Sequence, residues 1–328
     1  MIISKTPLRA SFFGGGTDFS DYFHNSKFGY GCVLSTALNM HVYITVNRLF
    51  DEKIRLVYTG NELVDSVEQV QHNIIREALK MTGIKSGIEI VYSADLPMKG
   101  LGTGLASSSA LTVGILNALH AFKGEYTTPE QLAKEAIDIE INKLGQQIGI
   151  QDQYAVAYGG FNRYVFNFND TVSITPIIID KEKHKRLIDR FMLFYTGVNR
   201  DSRAIFVEQK KTINNKKEIL DSLIENAQKA WLALQNNELD EWGRLLHETW
   251  QTKQKFASGV SNAEIDQMYD SAISGGALGG KILGAGGGGF LLLYVPLEKQ
   301  DNVRKSLSNY KEVSFAVDMQ GSRIIFSD

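Results

Sequence analysis

Three clusters of glycine, set far apart along the chain, constrain this sequence more than any other feature. They fall at Gly14–Gly16 in "PLRASFFGGGTDFSDYF", at Gly100–Gly104 in "GLGTGLASSSAL" and at Gly284–Gly289 in "KILGAGGGGF". Glycine permits positive φ and close approach of a ligand to the backbone, and successive free N–H groups in such a loop form an anion-binding concavity. The second cluster leads into "ALTVGILNALHAF", apolar on nearly every side. That pattern predicts a buried helix whose N-terminus aims unpaired N–H groups and a positive dipole end at the loop. Phosphate is the natural occupant. A flexible Gly/Ser linker is the alternative, but a linker leads into polar sequence, whereas here strand-like "IEIVYSADLP" precedes the loop and a core helix follows it.

The loop is of neither common nucleotide type. No Gly-x-x-x-x-Gly-Lys-Ser/Thr string occurs in the chain. "GAGGGG" satisfies Gly-x-Gly-x-x-Gly in form, yet a dinucleotide fingerprint follows a strand and opens a helix, while "FLLLYV" downstream reads as a strand. A dehydrogenase is therefore disfavoured. Three glycine loops from distant parts of the chain suggest three walls of one site.

With 328 residues the chain exceeds what one hydrophobic core usually organises, so two lobes are expected. The character changes near 175–190, where a long charged helical region, 203–256, begins, and the lobes are set at 1–180 and 181–328. Lys and Arg total 35 against 37 Asp and Glu, a balance that gives no basic field for nucleic acid or an anionic membrane and points to small-molecule partners. Cys32 is the single cysteine, so an intramolecular disulfide or a cysteine zinc site is excluded, and it reads as a buried small hydrophobe. The start "MIISKTPLR" lacks a signal-peptide core and no apolar run reaches membrane-spanning length, so a cytoplasmic location is expected.

Residues 41–46, 87–92, 190–197 and 290–295 read as strands. Residues 68–83 read as a helix ending at Gly83, and 128–144 as one opening with Thr128, Pro129 and Gln131 in capping spacing. In the second helix Leu132, Ala133, Ala136, Ile137 and Leu144 mark an apolar face that also holds Glu140. A carboxylate there pairs with a cation, binds a metal or becomes neutral. Asp152, in "GIQDQYAVAYGG", stands where a short helix starts, and on that ground alone is an N-cap. Trp231, Trp242 and Trp250 read as core or interface residues, and His247 as a packed or surface histidine.

Taken together, the three motifs resemble those of the kinases named after galactokinase, homoserine kinase, mevalonate kinase and phosphomevalonate kinase, the GHMP kinases. "GTGLASSSAL" is similar to the family's ATP loop, with Ala106 where the family usually carries Gly, a change tolerable if φ there is negative. "KILGAGGGGF" is similar to the C-terminal glycine motif that supports the ATP loop and closes over the active site. "PLRASFFGGGTDF" resembles the galactokinase N-terminal signature at Pro7, Arg9, Gly14, Thr17 and Asp18. Gly15 and Gly16 replace its Glu-His pair, which speaks against galactose. The "GGGTD" form looks most like the branch that phosphorylates D-glycero-D-manno-heptose 7-phosphate at the anomeric oxygen, with fucose and related sugar 1-kinases nearby.

The resemblance implies a two-lobed α+β GHMP-kinase fold, with a first lobe like domain 2 of a ribosomal protein and a ferredoxin-like α+β second lobe. It implies ATP and Mg²⁺ as cofactors, with the nucleotide on Gly102, Thr103, Gly104, Leu105, Ala106, Ser107, Ser108 and Ser109. Glu140 lies twelve positions before Asp152 (152 − 140), as the family's metal-binding Glu does before its catalytic Asp, so Glu140 and Ser109 (or Ser108) are the implied Mg²⁺ ligands. Asp152 is the implied base and Arg9 its stabilising partner. Gly14, Gly15, Gly16, Thr17, Asp18, Gly286 and Gly287 are the implied acceptor contacts, with Asp18 on a pair of sugar hydroxyls. A phosphate at the far end of the acceptor needs a distant basic group, and Arg200 is the candidate, ahead of Arg203 and Lys99. A monomer or homodimer is expected. A fucose-type or other small-molecule kinase, a non-catalytic sugar sensor and an interaction protein are the alternatives.

Overall fold

The structure, a computed structural model, describes residues 1–96, 103–198 and 202–328, apart from the side chains of residues 202 and 203. Strands β1 (Ile2–Phe13), β2 (Tyr30–Arg48), β3 (Ile54–Val57), β4 (Asn61–Val64), β5 (Ile88–Ala94), β6 (Phe161–Asn167) and β7 (Val172–Pro176) form one sheet. A second sheet holds β8 (Phe191–Tyr195), β9 (Gly279–Ile282), β10 (Phe290–Tyr294) and β11 (Lys311–Glu312), and β12 (Arg323–Ser327) returns to the first. The helices are α1 (Ser20–Phe23), α2 (Asn73–Thr82), α3 (Ser107–Phe122), α4 (Pro129–Ile137), α5 (Gln151–Tyr158), α6 (Lys181–Ile188), α7 (Ser202–Thr212), α8 (Lys217–Gln235), α9 (Leu239–Gln254), α10 (Ala263–Ser274) and α11 (Gln300–Ser306).

The first sheet is organised along β2, whose 19 residues are buried on both faces over most of their length. β1 pairs antiparallel with it from Ile2↔Val46 to Phe13↔Leu34. Its other edge changes partner midway, meeting β6 over residues 30–36 and β5 over residues 42–48. α3 packs against β1, β2, α2, α4 and α5, and every residue from Ser109 to His120 is buried, as its all-round apolar sequence predicts. The second sheet runs β11-β8-β10-β9, all antiparallel.

An aromatic cluster locks the two sheets together, with Phe12 of β1 and Phe191 of β8 at 5.0 Å between ring centroids. Trp242 of α9 meets Phe13 of β1 edge-on at 5.0 Å between ring centroids, with Phe12 at 5.3 Å and Phe161 at 5.8 Å, and its indole N–H donates to the Ala230 carbonyl at 2.6 Å. Emptying such a site costs about 3–5 kcal/mol, so the loop after β1 is firmly placed relative to α9. Among the described residues no helix is long and apolar enough to cross a membrane.

Gly83 ends α2 in the left-handed conformation, and Thr128 caps α4 by accepting the Gln131 N–H at 3.1 Å, both as the sequence predicts. The helical region expected over 203–256 holds α7, α8 and α9. Two expectations change. α2 begins at Asn73, capped by His72, because residues 67–69 form a separate 3₁₀ turn. The last strand, expected with the second lobe, pairs with β1 from Ile2↔Ser327 and covers its outer edge.

Candidate active site

Arg9 joins two of the three motifs. It points inward from β1 and is almost wholly buried, and its Nε and Nη2 donate to Asp152 Oδ1 and Oδ2 at 2.8 and 2.7 Å. Its Nη1 donates to the Gly104 carbonyl at 2.5 Å, and its backbone N–H to the Leu105 carbonyl at 3.1 Å. The planar guanidinium fork suits this task, since it holds a carboxylate with two parallel bonds and keeps a donor for a third partner.

Asp152 is the second residue of α5 and does not cap it; Ile150 stands at the N-cap without a side-chain bond. Asp18 serves the helix start instead. Its Oδ2 accepts the Gln151 N–H at 3.2 Å, its Oδ1 the Gly16 N–H at 2.9 Å, and its carbonyl the Ile150 N–H at 3.1 Å. Gly149 makes room for it, because a β-carbon at 149 would collide with the Asp18 carboxylate. Burial, reinforced by the Asp152 charge, raises the Asp18 pKa.

The ATP-like loop enters α3 through Ala106, whose φ of 62° lies in the left-handed region, so the negative φ expected there is not found. Thr103 and Ser107 pair their hydroxyls at 2.7 Å, and no side chain caps α3. The first-turn N–H groups of this 16-residue helix therefore face the loop with no intrahelical partner.

Glu140 lies behind this helix start, fully buried. Its carboxylate accepts the Ser108 hydroxyl at 2.6 Å, the Ser109 hydroxyl at 2.9 Å and the Gln153 amide at 2.6 Å. The predicted α-helix over 128–144 stops at Ile137, and Asp138–Lys143 form a π-turn closed by Leu144 N–H to the Ile139 carbonyl at 3.0 Å. A π-turn inserts a residue and is frequent at functional sites; here both Ile139 and Glu140 are buried within it. Burial raises the Glu140 pKa.

Between the lobes lies a cavity of about 30 Å³, lined by Arg9, Asp18, Asp152, Lys253 and Lys281, with Phe206 and Gln209 of α7 in its wall. Lys253 of α9 donates to the Gly284 carbonyl at 2.6 Å, and burial, with Arg9 next in weight, lowers its pKa to about 8. Lys281 of β9 donates to the carbonyls of Ser11 and Phe12 at 2.9 and 3.2 Å and is held well below its usual range by burial and by Lys253. Two carboxylates, Asp18 buried and Asp152 partly so, beside an arginine and two lysines and next to a phosphate-type loop, are machinery for moving a phosphoryl group.

Residues 67–160 match the N-terminal domain of the GHMP kinases and residues 231–312 match their C-terminal domain. The D-glycero-alpha-D-manno-heptose 7-phosphate kinase of Campylobacter jejuni is 30% identical over 327 residues, covering 93% of each chain. The chain belongs to the GHMP kinase family. A galactokinase of Pyrococcus furiosus is 26% identical over 92% of this GHMP kinase and 91% of its own length. The crystal structure of a D-glycero-D-manno-heptose 1-phosphate kinase from Bacteriodes thetaiotaomicron superposes with a TM-score of 0.81 at 25% identity, covering both chains in full. As a GHMP kinase the protein is a phosphotransferase, and GHMP kinases use ATP as the phosphoryl donor.

Of the residues singled out in the sequence, this GHMP kinase gathers Arg9, Gly15, Gly16, Asp18 and Asp152 at the cavity. Thr103 to Ser109 form the loop and helix start beside it, with the Leu105 carbonyl accepting the Arg9 N–H and its own N–H donating to the Thr103 hydroxyl at 3.3 Å. Gly14 and Thr17 pack on β2 instead: a β-carbon on Gly14 would strike the Cys32 carbonyl, and the Thr17 hydroxyl bonds the Cys32 main chain at 3.0 and 3.1 Å. Gly286 and Gly287 face Val260, and the glycine of that motif in the cavity wall is Gly284. Gly102, Lys99 and Arg200, and the side chain of Arg203, lie outside the described residues.

Lys253 and Lys281 escaped the sequence reading. The signal for Lys253 was periodicity, since Trp242, Leu246, Thr249, Trp250 and Lys253 share the buried face of α9. For Lys281 it was a charge inside a strand otherwise of glycine and isoleucine. Among the described residues no group of three His, Cys, Asp or Glu side chains forms a metal cage. The Glu140 carboxylate and the Ser108 and Ser109 hydroxyls nevertheless fit Mg²⁺, a hard cation that takes few protein oxygens and fills its shell with phosphate and water. Among the described residues Glu140 has only neutral hydrogen-bond donors, and the buried Gln153 Oε1 beside it has no partner. Ser108 is the exposed hydroxyl of the two and Ser109 the buried one.

Proposed function

We propose that this protein transfers the γ-phosphoryl group of ATP to the anomeric hydroxyl of D-glycero-D-manno-heptose 7-phosphate, giving the 1,7-bisphosphate. One observation carries the reading: Arg9 grips Asp152 with one edge of its guanidinium and the Gly104 carbonyl with another nitrogen. The acceptor's base and the donor's loop are thus held by a single side chain.

Asp152 accepts the proton of the anomeric hydroxyl as its oxygen attacks the γ-phosphorus, the bond to the β-phosphate oxygen breaks, and ADP leaves. Arg9 keeps the carboxylate oriented, and its charge opposes that building on the transferring group. The free N–H groups at the start of α3 receive the donor phosphates. Mg²⁺, when bound, supplies positive charge to those phosphates, and Glu140 with Ser108 or Ser109 would hold it. Residues 1–180 bring the loop and the base, and residues 181–328 bring the lysines and the C-terminal glycine motif.

Two points support the heptose. The Campylobacter relative is named for it, and Gly15, which replaces the first residue of the galactokinase Glu-His pair, leaves open the space of that side chain. A nucleotide and a sugar phosphate as substrates, with one buried cysteine, also suit the cytoplasm. The deciding experiment is a coupled ADP-release assay with Mg·ATP across a panel of sugars and phosphosugars, with product NMR to locate the new phosphate. Turnover of fucose or mevalonate with none of the heptose phosphate would reject the assignment.

A further inference from the structure

Gly15 marks a point on which three polar side chains converge. A β-carbon built there would lie 3.6 Å from Ser11 Oγ, 3.8 Å from Gln151 Nε2 and 3.8 Å from Lys253 Nζ. Those are ordinary contacts, and Gly15 is not among the glycines with positive φ. The backbone does not demand glycine here; what its absent side chain supplies is space.

The groups around that space have unused hydrogen-bonding capacity. Among the described residues Ser11 Oγ is buried without a partner, in a residue 3% exposed, and Gln151, 8% exposed, presents its Nε2 donor to the same space. Lys253 and Lys281, 4% and 1% exposed, spend their bonds on main-chain carbonyls, and neither forms an ion pair among the described residues. Burying two lysines side by side without an anion is costly, whether they keep their charge or shed it. Arg9 is neutralised by Asp152, so of the charges lining the cavity Asp18 alone is left to set against two lysines. An anionic ligand would restore the balance.

We infer that Ser11, Gln151 and Lys253, backed by Lys281, form a subsite for a phosphate monoester carried by the acceptor, seated in the space that Gly15 leaves open. This rests on the proposed acceptor being a sugar phosphate. It assigns recognition of the acceptor's phosphate to a described cluster rather than to Arg200. Lys253 Nζ has two further N–H donors besides the one on Gly284, the Ser11 hydroxyl and the Gln151 amide add two neutral donors, and charge-assisted bonds of this kind are the strong ones. The cavity holds about one water molecule as it stands, so Phe206 and Gln209 of α7 must yield as the acceptor enters.

The test is calorimetric titration without nucleotide, using D-glycero-D-manno-heptose 7-phosphate, the unphosphorylated heptose and inorganic phosphate against wild type, Lys253→Met and Gly15→Ala. Wild type is expected to bind the phosphorylated sugar at least tenfold more tightly than the bare one. Lys253→Met should cut that preference by roughly 10–100-fold, and Gly15→Ala should abolish it while melting like wild type. Inorganic phosphate should compete with the phosphosugar for the wild-type site. Should Lys253→Met fail to fold, Gly15→Ala decides, since its new methyl group meets only ordinary contacts. Equal binding of both sugars by wild type, binding of neither, or an unchanged preference in the folded variants overturns the subsite. So does a Lys253→Met enzyme that loses kcat equally with both acceptors, which would place the lysine on the transferring phosphoryl group. Absence of ADP release in wild type would instead reject the kinase reading and leave the calorimetry to judge the subsite.

Discussion

Gly104 and Gly284 touch backbone to backbone across the lobes: a β-carbon on Gly284 would fall 2.5 Å from the Gly104 Cα. Gly284 also has a φ of 73°, so any side chain there is strained as well as obstructed. The C-terminal motif thereby props the ATP-like loop from behind, while Lys253 holds the Gly284 carbonyl in front. Gly284→Ala should destabilise the protein by about 2–4 kcal/mol, from overpacking and left-handed strain together. It should also weaken nucleotide binding, because the loop must move to relieve the clash. Chemical denaturation and a titration with a non-hydrolysable ATP analogue measure both, and wild-type values for either would contradict the contact.

Asp152→Asn keeps the size of the side chain and one of its two bonds from Arg9 but removes its capacity to take a proton. Its kcat should fall by about 10²–10⁴-fold, with nucleotide affinity changed only a few-fold, since no bond to the loop is lost. Arg9 would still reach the Gly104 carbonyl. A similar loss in nucleotide affinity would show instead that the pair serves the loop and not the chemistry.

Glu140 carries a testable sign. Its folded-state pKa is raised by burial above the ordinary carboxylate value, so the stability linked to its neutral form is complete below pH 4.5 and is lost as pH rises through the raised value. Above the ordinary carboxylate range the free protein therefore bears the cost of burying this acid, which Mg²⁺ would offset. Glu140→Gln should make the metal-free protein as stable as wild type or more so at pH 7.5, with the advantage vanishing near pH 4. Stabilisation by Mg·nucleotide should be lost in the variant. Denaturation curves at the two pH values, with and without the metal nucleotide, are the measurement, and an undiminished Mg·nucleotide shift would remove Glu140 from the metal site.

Sequence reading reached the motifs and their order because glycine loops, capping spacing and apolar periodicity are local signals. Gly83, Thr128 and the all-apolar α3 behave as their neighbours in sequence dictate. What it missed depends on contacts between distant segments. The π-turn at Asp138–Lys143 leaves no composition signature, and neither does β12 crossing back to β1. Lys253 and Lys281 are ordinary lysines until α9 and β9 bring them against Ser11 and Gly15. Thr17 and Gly286 sit in motifs that face the site, yet their own contacts, to Cys32 and Val260, are structural.

Ala106 occupies a left-handed conformation that favours glycine, at the residue through which the loop enters α3. An L-residue pays roughly 1–2 kcal/mol for that geometry, and glycine gives back part of the gain through its more flexible unfolded chain. Ala106→Gly should therefore stabilise the protein by about 0.5–1 kcal/mol. Because the β-carbon stands beside the free N–H groups of α3, nucleotide affinity should hold or improve. Destabilisation in urea would show that the alanine is better accommodated than its φ implies.

Lys253 predicts how acceptor binding responds to pH. It faces Arg9 from β1, Asp18 from the loop after β1, Asp152 from α5 and Lys281 from β9, and its pKa is lowered to about 8. The protonated form is the one that holds a phosphate, so in the free enzyme the binding form declines as pH passes 8. The KM for a phosphosugar should then rise about tenfold per pH unit above that point. Lys253→Arg, which stays charged throughout, should flatten the curve even where its absolute KM is poorer. The unfolded lysine keeps its proton up to about 10.5, so the ligand-free wild type should gain stability between pH 8 and 10.5, where the folded state has already shed the buried charge. A KM that is level from pH 7 to 9.5 in wild type, or an equal rise in the arginine variant, would show that some other group controls acceptor binding.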